Sequence, residues 1–116
     1  MKTLSGNSFY YMRALYEAGR PVCKEECIRL VFELYGIKHS TNTGKAILRE
    51  LLAEEQIKVS SKVANGKKRT FYAPAYPIDD FYKTHLEKFV NDTFLGDYDM
   101  MIDFMIKSGL TSSCDN

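Results

Sequence analysis

Ile57-Lys58-Val59-Ser60-Ser61-Lys62-Val63-Ala64-Asn65-Gly66-Lys67-Lys68-Arg69-Thr70-Phe71-Tyr72 is the stretch from which the fold can be read. Ile57, Val59 and Val63 alternate with Lys58, Ser60 and Lys62, the period of two that belongs to a strand. Asn65-Gly66 then interrupts, and a second run follows from Lys68 to Tyr72. Both turn residues tolerate the positive φ angles of a type I′ turn, so the segment predicts a β-hairpin.

Three helical segments precede it. Phe9, Met12, Leu15 and Tyr16 recur at helical spacing until Gly19-Arg20-Pro21 stops a short first helix. A second is expected from about Lys24 to Tyr35, with an apolar stripe of Ile28, Val31, Phe32 and Tyr35 and with Gly36 as its C-terminal cap. The third begins after Ser40 or Thr41, whose hydroxyls can accept first-turn amide protons, and runs to about Glu55. Its inward stripe is Ile47, Leu48, Leu51 and Leu52. At 1.5 Å per residue this helix is roughly 20 Å long, enough to lie across a DNA major groove. Three helices and a basic-tipped hairpin, in that order, predict a winged helix-turn-helix, mainly α with a small β-hairpin wing.

Pro74 and Pro77 mark a boundary, dividing a winged-helix DNA-binding domain (1–75) from a C-terminal helical dimerisation region (76–116). Charge divides there too. The first part carries 13 Lys/Arg and 7 Asp/Glu, the second 3 and 8. A basic module suits a polyanion, and an acidic remainder is better placed facing away from it. Phe81, Leu86, Phe89, Val90 and Phe94 lie along one helix of the second part, and Met100, Met101, Phe104 and Met105 along another after Gly96. Forty-one residues are too few to enclose a core of their own. Phe81, Phe89, Val90, Phe94, Met101, Phe104 and Met105 are therefore expected to pack against an identical copy; the plainer alternative folds these helices back on the first domain.

Composition narrows the classes further. With 116 residues and 45% hydrophobic side chains the chain is one compact domain or a domain with an appendage, and it can bury a core. Met1 to Arg13 has no long apolar run, and the apolar stretch from Met100 to Ile106 is broken by Asp103, so neither a leader nor a membrane span is expected. A cytoplasmic protein with reduced Cys23, Cys27 and Cys114 follows.

The run from Gly66 to Pro74 resembles the wing and exit strand of the penicillinase-repressor family of BlaI, MecI and CopY regulators. Ser40 to Leu52 is similar to that family's recognition helix. Phe81 to Thr111, with Phe89, Phe94-Leu95-Gly96 and Phe104, is similar to its dimerisation helices, so the likeness spans about Phe9 to Thr111. The resemblance implies a homodimeric repressor that binds operator dyads and releases them on a signal. Some points depart from the pattern. Gly44 stands where an aliphatic residue is usual, at a cost of about 1 kcal/mol against Ala inside a helix. Glu50 replaces a residue that is often basic, and Cys114 alone stands where copper-responsive members carry paired Cys-x-Cys motifs. Some members are regulated by a signal-relay protease, but no residue here assigns a cleavage site.

Candidate binding residues follow from the third helix and the hairpin. Asn42, Lys45 and Arg49 recur at spacings of three and four, opposite the leucine stripe, with Thr41 and Thr43 at the helix start. Asn42, Thr43 and Lys45 are expected to read bases, and Arg49 to contact a base or a phosphate. Lys62, Lys67, Lys68 and Arg69 put four positive charges around one turn, as suits a phosphate backbone. The plainer explanations are a solvated helix face and an edge strand guarded by lysines.

Other chemistry has weaker support. Cys23 and Cys27 share a helical face, but a structural zinc needs four ligands and no second pair lies nearby. His39 is expected just before the third helix and His85 on a helix surface, neither at triad spacing. With no acid–base pair, phosphate loop or metal cluster, the expectation is a binding protein and no enzyme, with no cofactor and no metal. Its partners are double-stranded DNA and a second copy, with no membrane. A winged-helix protein-interaction adaptor that does not bind DNA is the alternative.

Overall fold

Helical periodicity and turn chemistry place the elements where the sequence puts them. The computed structural model describes residues 1–110 and comprises α1 (Gly6–Ala18), α2 (Lys24–Tyr35), α3 (Thr41–Ala53), β1 (Ile57–Ala64), β2 (Lys67–Pro74), α4 (Ile78–Phe94) and α5 (Tyr98–Lys107). Cys114 and Thr111 lie outside the described residues. The architecture is a winged helix-turn-helix, mostly helical, followed by a C-terminal helical arm.

The first three helices form the core. Tyr11, Met12, Ala14 and Leu15 on α1 pack with Cys27 and Val31 of α2 and Ile47, Leu48 and Leu51 of α3 in one cluster. Each large apolar side chain hidden there contributes roughly 1.5–3 kcal/mol. At 13 residues α1 is longer than the short helix expected. The buried face of α2 is also rotated from the expected stripe. Cys27 and Val31 point inward because α1 and α3 close on that side, whereas Phe32 is half exposed and Tyr35 stacks on Tyr10 at the surface, 4.7 Å between rings. On α3, Gly44 takes the buried place expected of Leu52, which faces solvent. A β-carbon at Gly44 would overlap the Ile28 side chain of α2 and come within 3.2 Å of the Tyr11 hydroxyl. Close approach of α3 to α2 is the reason for the glycine.

The hairpin has the expected two-residue turn. Ala64 pairs with Lys67, and Asn65 and Gly66 both have positive φ, 54° and 73°. Only its base is anchored: Ile57 is buried, while Lys58 to Thr70 are exposed. Val22, between α1 and α2, adds a bridge to the exit strand, its amide bonding Tyr72 O (3.0 Å) and its carbonyl accepting from Tyr72 N–H (2.8 Å). Buried Gln56 locks the entry to β1, donating to Glu54 O (2.9 Å) and accepting from the Lys2 amide (3.1 Å), so its desolvated amide is satisfied.

The segment at Pro74 to Pro77 is tied down. Ala75 N–H bonds Gln56 O (3.0 Å), and the Tyr16 hydroxyl donates to Tyr76 O (2.9 Å). Beyond it, the first turns of α4 pack back on α1. Phe81 is 3% exposed and contacts Phe9 and Tyr16 at ring distances of 5.2 Å each. His85, expected on the helix surface, is part-buried against α1 and the N-terminal segment. Its ring lies 4.3 Å from that of Phe81, Nδ1 hydrogen-bonds Phe81 O (2.8 Å), and Nε2 accepts from Leu4 N–H (3.0 Å). The rest of α4 and α5 project as a second body, with Val90 and Met101 buried and Phe94 beside Phe104 at 6.1 Å. Wing and arm stretch the chain to 59 × 30 × 24 Å with a radius of gyration of 17.6 Å; a compact chain of this length would have roughly 13 Å.

Candidate nucleic-acid interface

Position on α3 is set by its buried face. With Gly44, Ile47, Leu48 and Leu51 inward, Thr41, Asn42, Thr43, Lys45 and Arg49 are all exposed. Ser40 is the N-cap, its hydroxyl accepting from Thr43 N–H (3.2 Å) and lying 3.1 Å from Thr43 Oγ1. Thr43 is therefore partly occupied in capping, while Thr41 and Asn42 present the first turn outward. The helix start is held from beneath by the Tyr11 hydroxyl, 3.0 Å from His39 Nδ1 in the turn before it. Burial, with a smaller contribution from Cys27, raises that phenol to about 12.

Pairing register splits the wing cations between two faces. Lys62 stands directly opposite Arg69, and Lys67 shares their face; Lys68, opposite Val63, is on the other face with Thr70 and Tyr72. Like charges placed opposite one another destabilise a hairpin, so the Lys62–Arg69 pair is a local cost that a polyanion would relieve. Lys62 Nζ also sits 5.8 Å from the Phe71 ring centre.

The face of Lys68 turns toward the helices. A cleft of about 330 Å³ lies there, lined by Lys45 of α3, Lys68, Arg69, Thr70 and Tyr72 of β2, and Cys23, Lys24 and Glu25 at the start of α2. Lys24, Lys45 and Lys68 meet the Glu25 carboxylate in it, while Arg69 lines it from a strand position whose side chain belongs to the opposite face. Lys24 and Cys23 were not among the expected site residues. They arrive through the Val22–Tyr72 bridge, which sets the start of α2 beside β2 and has no local sequence signal beyond the turn at Arg20-Pro21.

Ion pairing separates the cations of α3 and the wing from the other arginines of the module, while Lys24 in the cleft pairs with its neighbour Glu25 (3.6 Å). Arg13 pairs with Glu17 (3.3 Å), Arg20 with Glu26, and Arg29 with Glu33 (2.7 Å) and Glu26 (3.6 Å). The Arg20 guanidinium holds the Glu26 carboxyl below the usual range. Among the described residues, none of Lys45, Arg49, Lys62, Lys67, Lys68 or Arg69 forms an ion pair. Their charge is left uncompensated by any carboxylate among the described residues.

Of the residues expected at a dimer contact, Phe81, Val90 and Met101 are buried within the chain. Phe81 belongs to the core of the winged helix because α4 folds back on α1, so it is corrected from interface to core. Phe89 and Phe104 are half exposed, and Phe94 and Met105 partly so.

Cys23 and Cys27 are free thiols; burial, then Cys23 and Glu26, pushes the Cys27 thiol up to about 12. Among the described residues no three His, Cys, Asp or Glu gather as a metal would require, and no helix is long and apolar enough to cross a membrane.

Helices, wing and cationic cleft together define a winged-helix domain with one strongly cationic face. Comparison with solved structures agrees on the fold. The chain is similar to the crystal structure of TA0346 from Thermoplasma acidophilum, a candidate transcriptional regulator, with a TM-score of 0.53 and 17% identity over 85% of this chain and 89% of that one. No family model matches the chain, and no curated protein matches it.

Proposed function

We propose that the protein is a DNA-binding transcriptional repressor that acts as a homodimer on operator dyads, with residues 1–75 gripping DNA and residues 76–116 pairing the copies. The observation that carries it is the set of cations on α3 and the wing that no carboxylate among the described residues pairs, in a module whose other arginines are paired. The fold likeness to a candidate transcriptional regulator and the resemblance to penicillinase repressors point the same way. Two copies of α3 enter successive major grooves one helical turn, or a multiple of it, apart. Asn42 and Lys45 read base edges, while Lys68 and Arg69 hold the phosphates beside them. Occupying a promoter blocks transcription, and no chemistry is involved.

The arm supports pairing. Ten large apolar side chains between Tyr82 and Leu110 remain 41–87% exposed. At roughly 200 Å² for each fully exposed side chain they present about 1,000 Å², against about 800 Å² per partner in a standard interface.

Light scattering on the eluting protein and a duplex shift at two salt concentrations test the proposal together. A dimer that shifts duplex DNA more strongly at low salt is expected. A dimer that ignores DNA in dilute buffer would identify an adaptor instead, and a monomer that ignores it would end the proposal.

A further inference from the structure

The elbow between α4 and α5 carries a residue that nothing among the described residues explains. The last turn of α4 closes by a bond from Gly96 N–H to Val90 O (3.1 Å), which puts Leu95 in the left-handed position, φ 56° and ψ 29°. That position normally falls to glycine, because a β-carbon crowds the following carbonyl there. Here the glycine stands one place later, at Gly96. Leu95 is also 87% exposed, the most exposed large apolar side chain among the described residues. Neither backbone preference nor packing among the described residues favours a leucine.

An apolar cavity of about 230 Å³ opens on the same arm. Phe89, Phe94, Met101, Phe104, Met105 and Leu110 line it, and none carries a charge or hydrogen-bonding group. A cavity of roughly 150 Å³ with such walls stays dry and accepts benzene, so this one has room for a leucine side chain. Knob and hole lie on the same arm, Leu95 directly following Phe94 of the cavity wall. A two-fold interface demands that arrangement, since each copy must offer both halves of the contact.

We propose that Leu95 is the anchor of the homodimer, each copy seating its Leu95 in the Phe- and Met-lined cavity of the other. This rests on the homodimer reading above. The occupant is a second copy because the exposed apolar area of the arm matches what a stable protein pair buries, far more than a small ligand covers. It also explains the residue: a strained, solvated leucine is favourable once two of them leave water together.

Sedimentation of the full chain over a dilution series tests it. Leu95→Gly removes the knob while relaxing the backbone, and should weaken the dimer about 100-fold or more without lowering the helical content of the chain. Leu95→Asn, which also tolerates the left-handed region, should weaken it similarly. Leu95→Met should stay within about threefold of the parent. Phe104→Ala should cost less in the Leu95→Gly background than alone, since its contact is already gone. A folded Leu95→Gly chain that dimerises as tightly as the parent overturns the anchor while leaving the homodimer intact. A parent chain that stays monomeric overturns both.

Discussion

Replacing Lys68 and Arg69 together by alanine separates the wing's role in binding from its role in folding. Both side chains are exposed and pair with no carboxylate among the described residues, and both positions border the cleft beside Lys45. Their loss should leave stability within about 0.5 kcal/mol. Stability should rise by a few tenths if anything, because Arg69 no longer faces Lys62 across the strands. On DNA the effect is large. Two cations are lost per chain and four per dimer, and each released phosphate contact is worth about 0.9 in the log–log dependence of affinity on salt. The slope should therefore become shallower by about 3.6, and across a fourfold rise in salt the parent and variant lines should converge by about 150-fold. Fluorescence anisotropy of a labelled duplex at four salt concentrations reads this directly, with Lys83→Ala on the arm as control. Lys68→Ala alone should take about half the change, since it removes one of the two charges. Parallel lines for parent and double variant would refute phosphate contact by the wing, whatever the absolute affinities.

Other expectations follow from particular contacts. Asn42→Ala should relax preference at one operator position with little change in salt slope, checked by selecting bound duplexes from a random pool. Gly44→Ala should destabilise the fold by about 1–2 kcal/mol despite the better helix propensity of alanine, because the new methyl meets Ile28; urea unfolding measures this, and Ile28→Ala should recover part of the loss. Phe81→Ala should cost about 3–5 kcal/mol in the same assay, whereas a residue serving only the dimer contact would leave the unfolding of dilute chain unchanged. Tyr11, Tyr16 and Cys27, each raised to about 12 chiefly by burial, keep their protons in the native chain where the unfolded chain gives them up. Their contribution is whole below the unfolded values, near pH 9 to 10. Stability should thus fall as pH rises from there toward 12, chiefly through the fully buried Tyr11 and Cys27 and less through the part-buried Tyr16. A flat urea midpoint over that range would contradict their burial.

The order of elements, the two-residue turn of the wing and the cap of α3 were legible in the sequence because each depends on residues within a few positions of one another. Asn65-Gly66 needs only its own φ angles, and Ser40 only the amide of Thr43. The exposed face of Asn42, Lys45 and Arg49 could be read for the same reason, since helical periodicity alone places it opposite the leucines. What the tertiary structure decided is which distant pieces share a surface. Packing turned α2 so that Val31 and Cys27 went inward while Phe32 stayed half exposed, drew Phe81 and His85 of α4 onto α1, and left Leu95 in the open. It also brought Lys24 beside Lys45 and Lys68, through a bridge between Val22 and Tyr72 fifty residues apart in the chain. Such pairings depend on close packing between elements, which fills space in three dimensions and leaves no periodic trace along one.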